Sequence, residues 1–240
     1  MSELTWHDLS WVLRRTPPAL LELMKKEGDK IIVAGGFIRS CVAQEPVNDV
    51  DVFSPTQADA EKYAQVLSKG YPVFKTDNAF TLNKTFKVPV QFIHRWTYTK
   101  PEDVVDSFDF TIAKAAFWWK DNWQSLTDSC FYSDLAAKRL IYTSPQRNED
   151  AGGSILRVLK FYQRGYRMPL DSLGAVIARL VAGLDLDAIA SHSDKEAQMA
   201  KVLTGLLREV DPNVDPEHIA HLPSLEQVRA FVVEHTEIGA

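Results

Sequence analysis

The first 27 residues alternate apolar and polar positions at a helical spacing. Between residues 6 and 27, apolar side chains recur three and four positions apart, which is typical of an amphipathic helix. Pro17 and Pro18 interrupt this segment, and a proline removes a backbone hydrogen-bond donor from a helix interior. The pattern therefore predicts helical structure over residues 6–27 with a break at the two prolines.

After residue 30 the pattern changes to short apolar runs bounded by turn residues. It predicts strands at 31–34, 49–53, 72–75, 79–82, 86–93 and 108–112, and helices at 37–44, between Ser54 and Gly70, and at 101–106. Turns are predicted at Asn83-Lys84 and Asp121-Asn122, and from Ser133 onward almost every signal is helical. The expected fold class is α+β: a domain with a mixed sheet and helices over residues 1–143, followed by an all-helical domain over residues 144–240.

Composition narrows the class of protein. The chain is 45% hydrophobic and 25% charged, which is ordinary for a globular protein. The chain has 27 Lys and Arg against 32 Asp and Glu, which argues against a surface covered in positive charge. This balance does not exclude a local basic groove. Cys41 and Cys130 form neither a disulfide framework nor a zinc pattern, which favours a cytoplasmic location. Neither a signal peptide nor an apolar run of bilayer length is present, so no membrane association is expected.

Two short motifs carry candidate chemistry. Asp49 and Asp51 are two positions apart in a predicted strand, so their side chains share one face at roughly 7 Å separation. Two such carboxylates repel each other unless a cation lies between them, and Mg²⁺ typically binds one or two carboxylates plus substrate phosphates. Gly35 and Gly36 follow a strand, where glycines let a backbone approach a phosphate closely at a helix start. The two motifs together indicate metal-dependent handling of a nucleoside triphosphate.

Three motifs stand in the order found in one superfamily. They are Gly35-Gly36-Phe37-Ile38-Arg39-Ser40 followed by Asp49-Val50-Asp51, then Phe108-Asp109-Phe110-Thr111-Ile112, then the segment from Glu149 to Phe161. This order resembles the DNA polymerase β superfamily of nucleotidyltransferases, and within it the class II branch of CCA-adding enzymes and bacterial poly(A) polymerases. The resemblance covers roughly residues 30–167 and implies a polymerase-β-like head domain followed by helices.

The resemblance implies roles for individual residues. Asp49 and Asp51 would be catalytic and would hold Mg²⁺ or Mn²⁺, and Asp109 would position a metal, a base or the ribose. The residues implied to bind the nucleotide are Gly35, Gly36, Arg39, Ser54 and Arg157. The implied reaction moves a nucleoside monophosphate from an NTP to an acceptor hydroxyl and releases pyrophosphate.

The chain departs from the family pattern at several positions. Ser40 replaces the acid that follows the motif arginine, and Ala113 replaces the asparagine of the second motif. Gln91 stands where the superfamily usually has a third acid, and an amide is a weak metal ligand. One extra residue separates Asp150 from Ile155, in the stretch that reads the incoming base in the family. The departures leave the preferred nucleotide open.

A basic segment indicates a polyanionic partner. Arg157, Lys160 and Arg164 stand at positions i, i+3 and i+7, so they share one helix face. With Arg167 they suit the phosphates of a nucleic acid, and Lys160, Arg164 and Arg167 are the residues predicted to bind it.

Three functions stay open at this point. The first is addition of nucleotides to an RNA 3′ end, such as that of a tRNA, as the family resemblance implies. The second is nucleotidylation of a protein or small molecule, which the acidic composition and the short segment after Arg167 favour. The third is a non-catalytic module that binds nucleotide or RNA, which Gln91 and the interrupted stretch after Glu149 and Asp150 favour.

Overall fold

The computed structural model describes residues 1–143 and 151–210. Within these ranges the helices are α1 (Trp6–Arg15), α2 (Pro18–Glu27), α3 (Gly36–Val42), α4 (Gln57–Ser68), α5 (Pro101–Asp106), α6 (Phe131–Ala136), α7 (Ala151–Gln163), α8 (Leu170–Ala182), α9 (Leu186–Ala190) and α10 (Lys195–Val210). The strands are β1 (Ile32–Ala34), β2 (Val50–Phe53), β3 (Phe74–Lys75), β4 (Ala79–Leu82), β5 (Val90–Ile93), β6 (Ala115–Lys120) and β7 (Asn122–Thr127).

All seven strands form one mixed sheet. Their order is β3-β4-β5-β2-β1-β6-β7, and β2 and β5 are parallel while the other neighbours are antiparallel. Strand β2 therefore lies in the interior of the sheet, where Asp51 is in register with Ala34 of β1 and with Gln91 of β5. A mixed sheet followed by C-terminal helices confirms the predicted α+β fold class.

The two faces of the sheet are covered unequally. Val50 and Val52 of β2 point into the main core, which includes side chains of α2, α3 and α4. Phe53 points to the opposite face, where Val104 and Val105 of α5 form a smaller cluster. Because side chains alternate along a strand, Asp51 shares the side of Phe53. The smaller cluster leaves room on that side for polar residues.

The C-terminal helices are joined to residues 1–143 through backbone hydrogen bonds and core packing. The amide of Arg167 donates to the carbonyl of Lys138, and the amide of Leu140 donates to the carbonyl of Arg167, both over 2.8 Å. Phe161 and Tyr166 belong to the main core. These contacts hold α7 beside the sheet. The predicted domain boundary after residue 143 lies next to residues 144–150, which are outside the described ranges and include Arg147, Glu149 and Asp150.

The predicted strand at 108–112 is wrong. Phe110 forms only an isolated bridge with Tyr142, and Thr111–Ala113 form a 3-10 helix. The backbone closes on itself here because the Ala113 amide donates to the Phe110 carbonyl over 2.9 Å. The Thr111 hydroxyl fixes the turn by donating to the buried Asp134 carboxylate over 2.6 Å. A segment with strand-like apolar alternation thus forms a tight turn, which a backbone hydrogen bond closes and a buried side-chain hydrogen bond supports.

The β6–β7 hairpin was not predicted, although its turn was. Asp121 turns the chain with φ of 61°, as expected for the predicted Asp121-Asn122 turn. Strand β5 is also shorter than the predicted 86–93. Among the described residues, no helix is both long and apolar enough to span a bilayer.

The backbone requires glycine at position 35 but not at position 36, which a pair of substitutions tests. Gly35 has φ of 84°, and a Cβ there would lie 2.8 Å from the Phe108 ring, whereas a Cβ on Gly36 meets nothing within 4 Å. We expect Gly35→Ala to lower the free energy of unfolding by at least about 2 kcal/mol. Gly36→Ala should stay within about 1 kcal/mol of wild type, because alanine suits a helical position.

Urea unfolding followed by tryptophan fluorescence measures both values. Equal losses of stability in the two variants would contradict the assignment of strain to Gly35 alone.

Candidate active site

The two carboxylates of the Asp-x-Asp motif line one cavity. Its volume is about 310 Å³, and its wall includes Asp49, immediately before β2, and Asp51 within β2. Asp109, which precedes the 3-10 helix, lines the same cavity. The structure therefore brings together all three acids that the sequence analysis selected.

Burial makes the ionised carboxylates costly. Burial and, to a lesser extent, the negative charge of Asp49 raise the pKa of Asp51 to about 8, against the opposing charge of Arg157. The pKa of Asp49 is also raised by burial, against the opposing charges of Arg39, Arg164 and Lys160. Desolvation and like charge both favour the neutral acid, and an added cation would favour the carboxylate.

Helix α7 and the residue after it supply cations to the cavity. Arg157, Lys160 and Arg164 all line it, so the face predicted from their spacing points toward the carboxylates. Helix α7 ends at Gln163, which leaves Arg164 one residue beyond it. Arg39 of α3 also lines the cavity and is only 6% exposed. The cavity therefore combines two acids with a set of cations, which suits a metal–phosphate ligand.

Asp109 is engaged by α7. Arg157 Nη1 lies 2.5 Å from Asp109 Oδ2, and the Ser154 hydroxyl donates to the same oxygen over 3.0 Å. Ser154 stands where the family pattern has an arginine, and its hydrogen bond to Asp109 supports the Asp109–Arg157 ion pair. This carboxylate thus holds α7 against the sheet and directs Arg157 along the cavity wall.

Three predicted site residues have other surroundings. Ser54 is fully buried, and its hydroxyl donates to the Thr56 carbonyl over 3.2 Å, so the cavity wall does not include it. Gly35 packs against Phe108, while Gly36 alone of the two glycines lines the cavity. Arg167 is exposed outside the cavity, with its guanidinium 5.6 Å from the Tyr162 ring centre.

Gln91 lies beside Asp51 in the parallel register of β2 and β5. An amide therefore occupies the neighbouring position on the sheet where a third acid was expected. Within residues 1–143 and 151–210, no group of three or more His, Cys, Asp or Glu side chains is arranged to hold a metal ion. The acidic donors available at the cavity are Asp49 and Asp51, with Asp109 bound to Arg157.

A family match covers this site. The sequence profile described as Gabija anti-defense 2 family protein matches residues 9–138, more than half of the chain. The chain belongs to the Gabija anti-defense 2 family. The matched region contains Asp49, Asp51 and Asp109 and ends before α7. The "Gabija anti-defense 2" protein of Bacillus phage SPbetaL7 is 28% identical over 149 residues, which are 61% of this chain and 36% of the phage protein. This family member therefore spans about a third of the length of the curated relative it matches.

Solved structures show the same fold. The Thermotoga maritima CCA-adding enzyme complexed with tRNA matches with a TM-score of 0.52 at 18% identity, covering 86% of this chain and 56% of that enzyme. A CCA-adding enzyme in complex with ATP matches with a TM-score of 0.55 at 18% identity, covering 90% and 58%. These matches confirm the polymerase-β-type nucleotidyltransferase fold that the motif order suggested.

Sequence reasoning missed several cavity residues. Trp96 and Phe108 form part of an apolar wall with Phe53, and Arg179 of α8 reaches the cavity from beyond the recognised motifs. Phe108 directly precedes Asp109 in the second motif, which is a signal that was available. Arg179 carries no such signal, because only the packing of α8 against α7 brings it near.

The Asp109–Arg157 pair should be coupled in stability. We expect a double-mutant cycle of Asp109→Asn and Arg157→Gln to give a coupling energy of about 1–2 kcal/mol, since one partner is buried and the other is partly exposed. The matched control is the exposed Glu22–Lys25 pair at 2.9 Å, whose coupling should stay below about 0.5 kcal/mol. Urea unfolding of the wild type and the three variants of each cycle measures both coupling energies, and equal values would contradict a structural link through Asp109.

Asp51 should lower the stability of the metal-free protein. Because the folded protein holds the Asp51 proton more tightly than the unfolded chain, stability decreases as pH rises from about 4 to about 8. At pH 8 in EDTA, Asp51→Asn should therefore raise the unfolding free energy by about 1 kcal/mol or more, or roughly 2–4 °C in Tm.

Thermal unfolding at pH 5 and pH 8 measures the effect, which should be larger at pH 8. An Asp51→Asn variant less stable than wild type at both pH values would show that ionised Asp51 stabilises the fold.

Proposed function

We propose that this family member is a metal-dependent nucleotidyltransferase that moves a nucleoside monophosphate from an NTP to an acceptor hydroxyl. One observation carries the proposal: Asp49 and Asp51 share a cavity with Arg39 and the cationic side of α7, in a nucleotidyltransferase fold. A cavity lined only by carboxylates would bind a cation, and one lined only by cationic side chains would bind an anion. Their combination in one cavity suits a divalent metal together with a triphosphate.

The donor set at the cavity fits Mg²⁺ or Mn²⁺. Asp49 and Asp51 would hold the metal, because both carboxylates have raised pKa values that a bound divalent cation would lower. Mg²⁺ needs only one or two protein carboxylates when substrate phosphates supply further oxygens. When bound, the metal would stabilise negative charge on the attacking and leaving oxygens.

The cations of the cavity would hold the triphosphate. Arg39 and Lys160 face the carboxylate side, and Arg157 is fixed in direction by Asp109. Gly36 leaves open space at the start of α3, so phosphate oxygens can approach its backbone. The apolar wall of Phe53, Trp96 and Phe108 would face the remainder of the nucleotide.

In the proposed reaction, an acceptor hydroxyl oxygen attacks the α-phosphorus of the NTP. The new P–O bond forms as the bond to the β-phosphate breaks, pyrophosphate leaves, and the hydroxyl gives up its proton. Fixed cations and carboxylates contribute by positioning and by charge stabilisation, which supply most of the rate in this class of chemistry.

We infer that the acceptor is an RNA 3′ end. Exposed Lys138, Arg139 and Arg167 lie on two segments joined by a parallel bridge, beside the cationic end of α7. Such a strip suits an RNA backbone. CCA-adding enzymes of the same fold include one in complex with tRNA.

A second candidate is a nucleotide-binding module without transfer activity. Gln91 favours it, because the amide beside Asp51 contributes no charge to a metal site. The two candidates differ in one outcome: the module would bind NTP and Mg²⁺ without moving label to any acceptor.

Label transfer tests the proposal. The protein is incubated with each α-labelled NTP, Mg²⁺ or Mn²⁺, total RNA and cell lysate. Wild type should label RNA, an Asp49→Ala/Asp51→Ala variant should lose at least about 100-fold in rate because two metal ligands are removed, and exposed Asp77→Asn should match wild type. Labelled protein in place of RNA would contradict the RNA acceptor, and absence of any label would favour the binding module.

Gly36→Ala tests the phosphate site separately from folding. Its added methyl group meets no protein atom, so stability should be retained. A triphosphate lying against this backbone would be displaced, and we expect the KM for NTP to rise roughly tenfold, or about 1.4 kcal/mol. Steady-state kinetics measure the change, and a KM equal to that of wild type would contradict phosphate binding at Gly36.

A further inference from the structure

Arg39 is a buried cation with few hydrogen bonds of its own. Its side chain is 7% exposed, and Nη2 lies 2.8 Å from the Ser40 hydroxyl. Within the described residues, Nε has no hydrogen-bond partner. The guanidinium carbon lies 4.9 Å above the ring of Phe161 of α7. Burying a charge in this way is unfavourable unless another charge compensates it.

Glu45 is the carboxylate that compensates Arg39. Its Oε2 lies 3.8 Å from Arg39 Nε, which is an ion pair too long for a hydrogen bond. The Glu45 side chain is 15% exposed, so solvent screens the pair only weakly. Asp49 is a second negative charge near Arg39 but belongs to the proposed metal site. Glu45 is therefore the acid available to Arg39 when Asp49 binds metal.

Glu45 is itself fixed from two directions. Its amide donates to the Ser40 carbonyl over 2.9 Å, which closes the loop after α3. The hydroxyl of Tyr166, a fully buried residue after α7, donates to Glu45 Oε1 over 3.0 Å. One oxygen of the Glu45 carboxylate thus accepts a hydrogen bond from Tyr166, and the other lies near Arg39. Head and C-terminal helices meet at this carboxylate.

We propose that Glu45, held by Tyr166, is a positioning residue that directs the Arg39 guanidinium toward the phosphates of the nucleotide. This inference rests on the proposed function, since it assigns Arg39 to the triphosphate. Glu45 does not line the cavity, so it acts through Arg39. Serine, and not an acid, directly follows Arg39 in the sequence. The acid that pairs with the Arg39 guanidinium is Glu45, five positions after Ser40.

Glu45→Gln separates charge from shape, because glutamine keeps an oxygen for the Tyr166 hydroxyl. We expect its dissociation constants for Mg²⁺–NTP and for tripolyphosphate to rise roughly tenfold, about 1.4 kcal/mol, with a smaller change in kcat. Tyr166→Phe should give a smaller loss in the same direction. The exposed Glu22→Gln, which also removes one acid from an ion pair, should match wild type.

A rescue variant excludes a merely structural effect. Because Arg39 Nη2 already lies 2.8 Å from Ser40 Oγ, an acid at position 40 can pair with the same guanidinium. Adding Ser40→Asp to Glu45→Gln should restore most of the affinity for tripolyphosphate, measured by calorimetry on the full chain. Thermal unfolding of each variant, measured in parallel, monitors folding.

The outcomes are distinct. Weakened tripolyphosphate binding in Glu45→Gln with recovery in the double variant supports the positioning role. Unchanged binding in Glu45→Gln, or a loss that Ser40→Asp does not recover, overturns it while leaving the nucleotidyltransferase proposal intact. A wild-type protein that binds neither NTP nor tripolyphosphate overturns both.

Discussion

Asp49 and Asp51 place two carboxylates on one side of β2, and the rest of the site must supply the positive charge that stabilises them. Backbone pairing on both sides fixes Asp51 in the interior of the sheet, and Asp49 follows its position. Burial and mutual repulsion make this pair unfavourable without a cation. The folded protein therefore keeps an unfavourable electrostatic free energy at Asp49 and Asp51. Such a cost is common where a protein binds a ligand of opposite charge.

The positive charge that compensates the two carboxylates comes from outside the sheet. Helix α7 brings Arg157 and Lys160 to the cavity. Its docking depends on Asp109, Ser154 and the parallel bridge between Arg139 and Arg167. The site is therefore composite: its acids come from residues 1–143, and most of its cations come from the C-terminal helices. An arrangement of this kind lets the position of α7 control the charge at the cavity, so contacts distant from the acids bear on ligand binding.

The sequence was most informative where a local pattern alone decides which side chains share a face. Alternation in β2 predicted that Asp49 and Asp51 act together, and helical spacing predicted that Arg157, Lys160 and Arg164 share a face. It failed at 108–112, because the backbone closes into a turn there that the buried hydrogen bond from Thr111 to Asp134 supports. Roles that depend on tertiary pairing were equally inaccessible. No local signal joins Glu45 to Tyr166, which are 121 positions apart, or Asp109 to Arg157, which are 48 apart.

A crystal structure with Mn²⁺ and a non-hydrolysable NTP analogue tests the central claim most directly, because anomalous scattering locates the metal independently of the nucleotide. The expected result is Mn²⁺ bound by Asp49 and Asp51, with the triphosphate between Arg39 and the cationic side of α7. An analogue bound elsewhere, or a triphosphate in the cavity with no Mn²⁺ at the two carboxylates, would contradict the assignment of this cavity as a metal–nucleotide site.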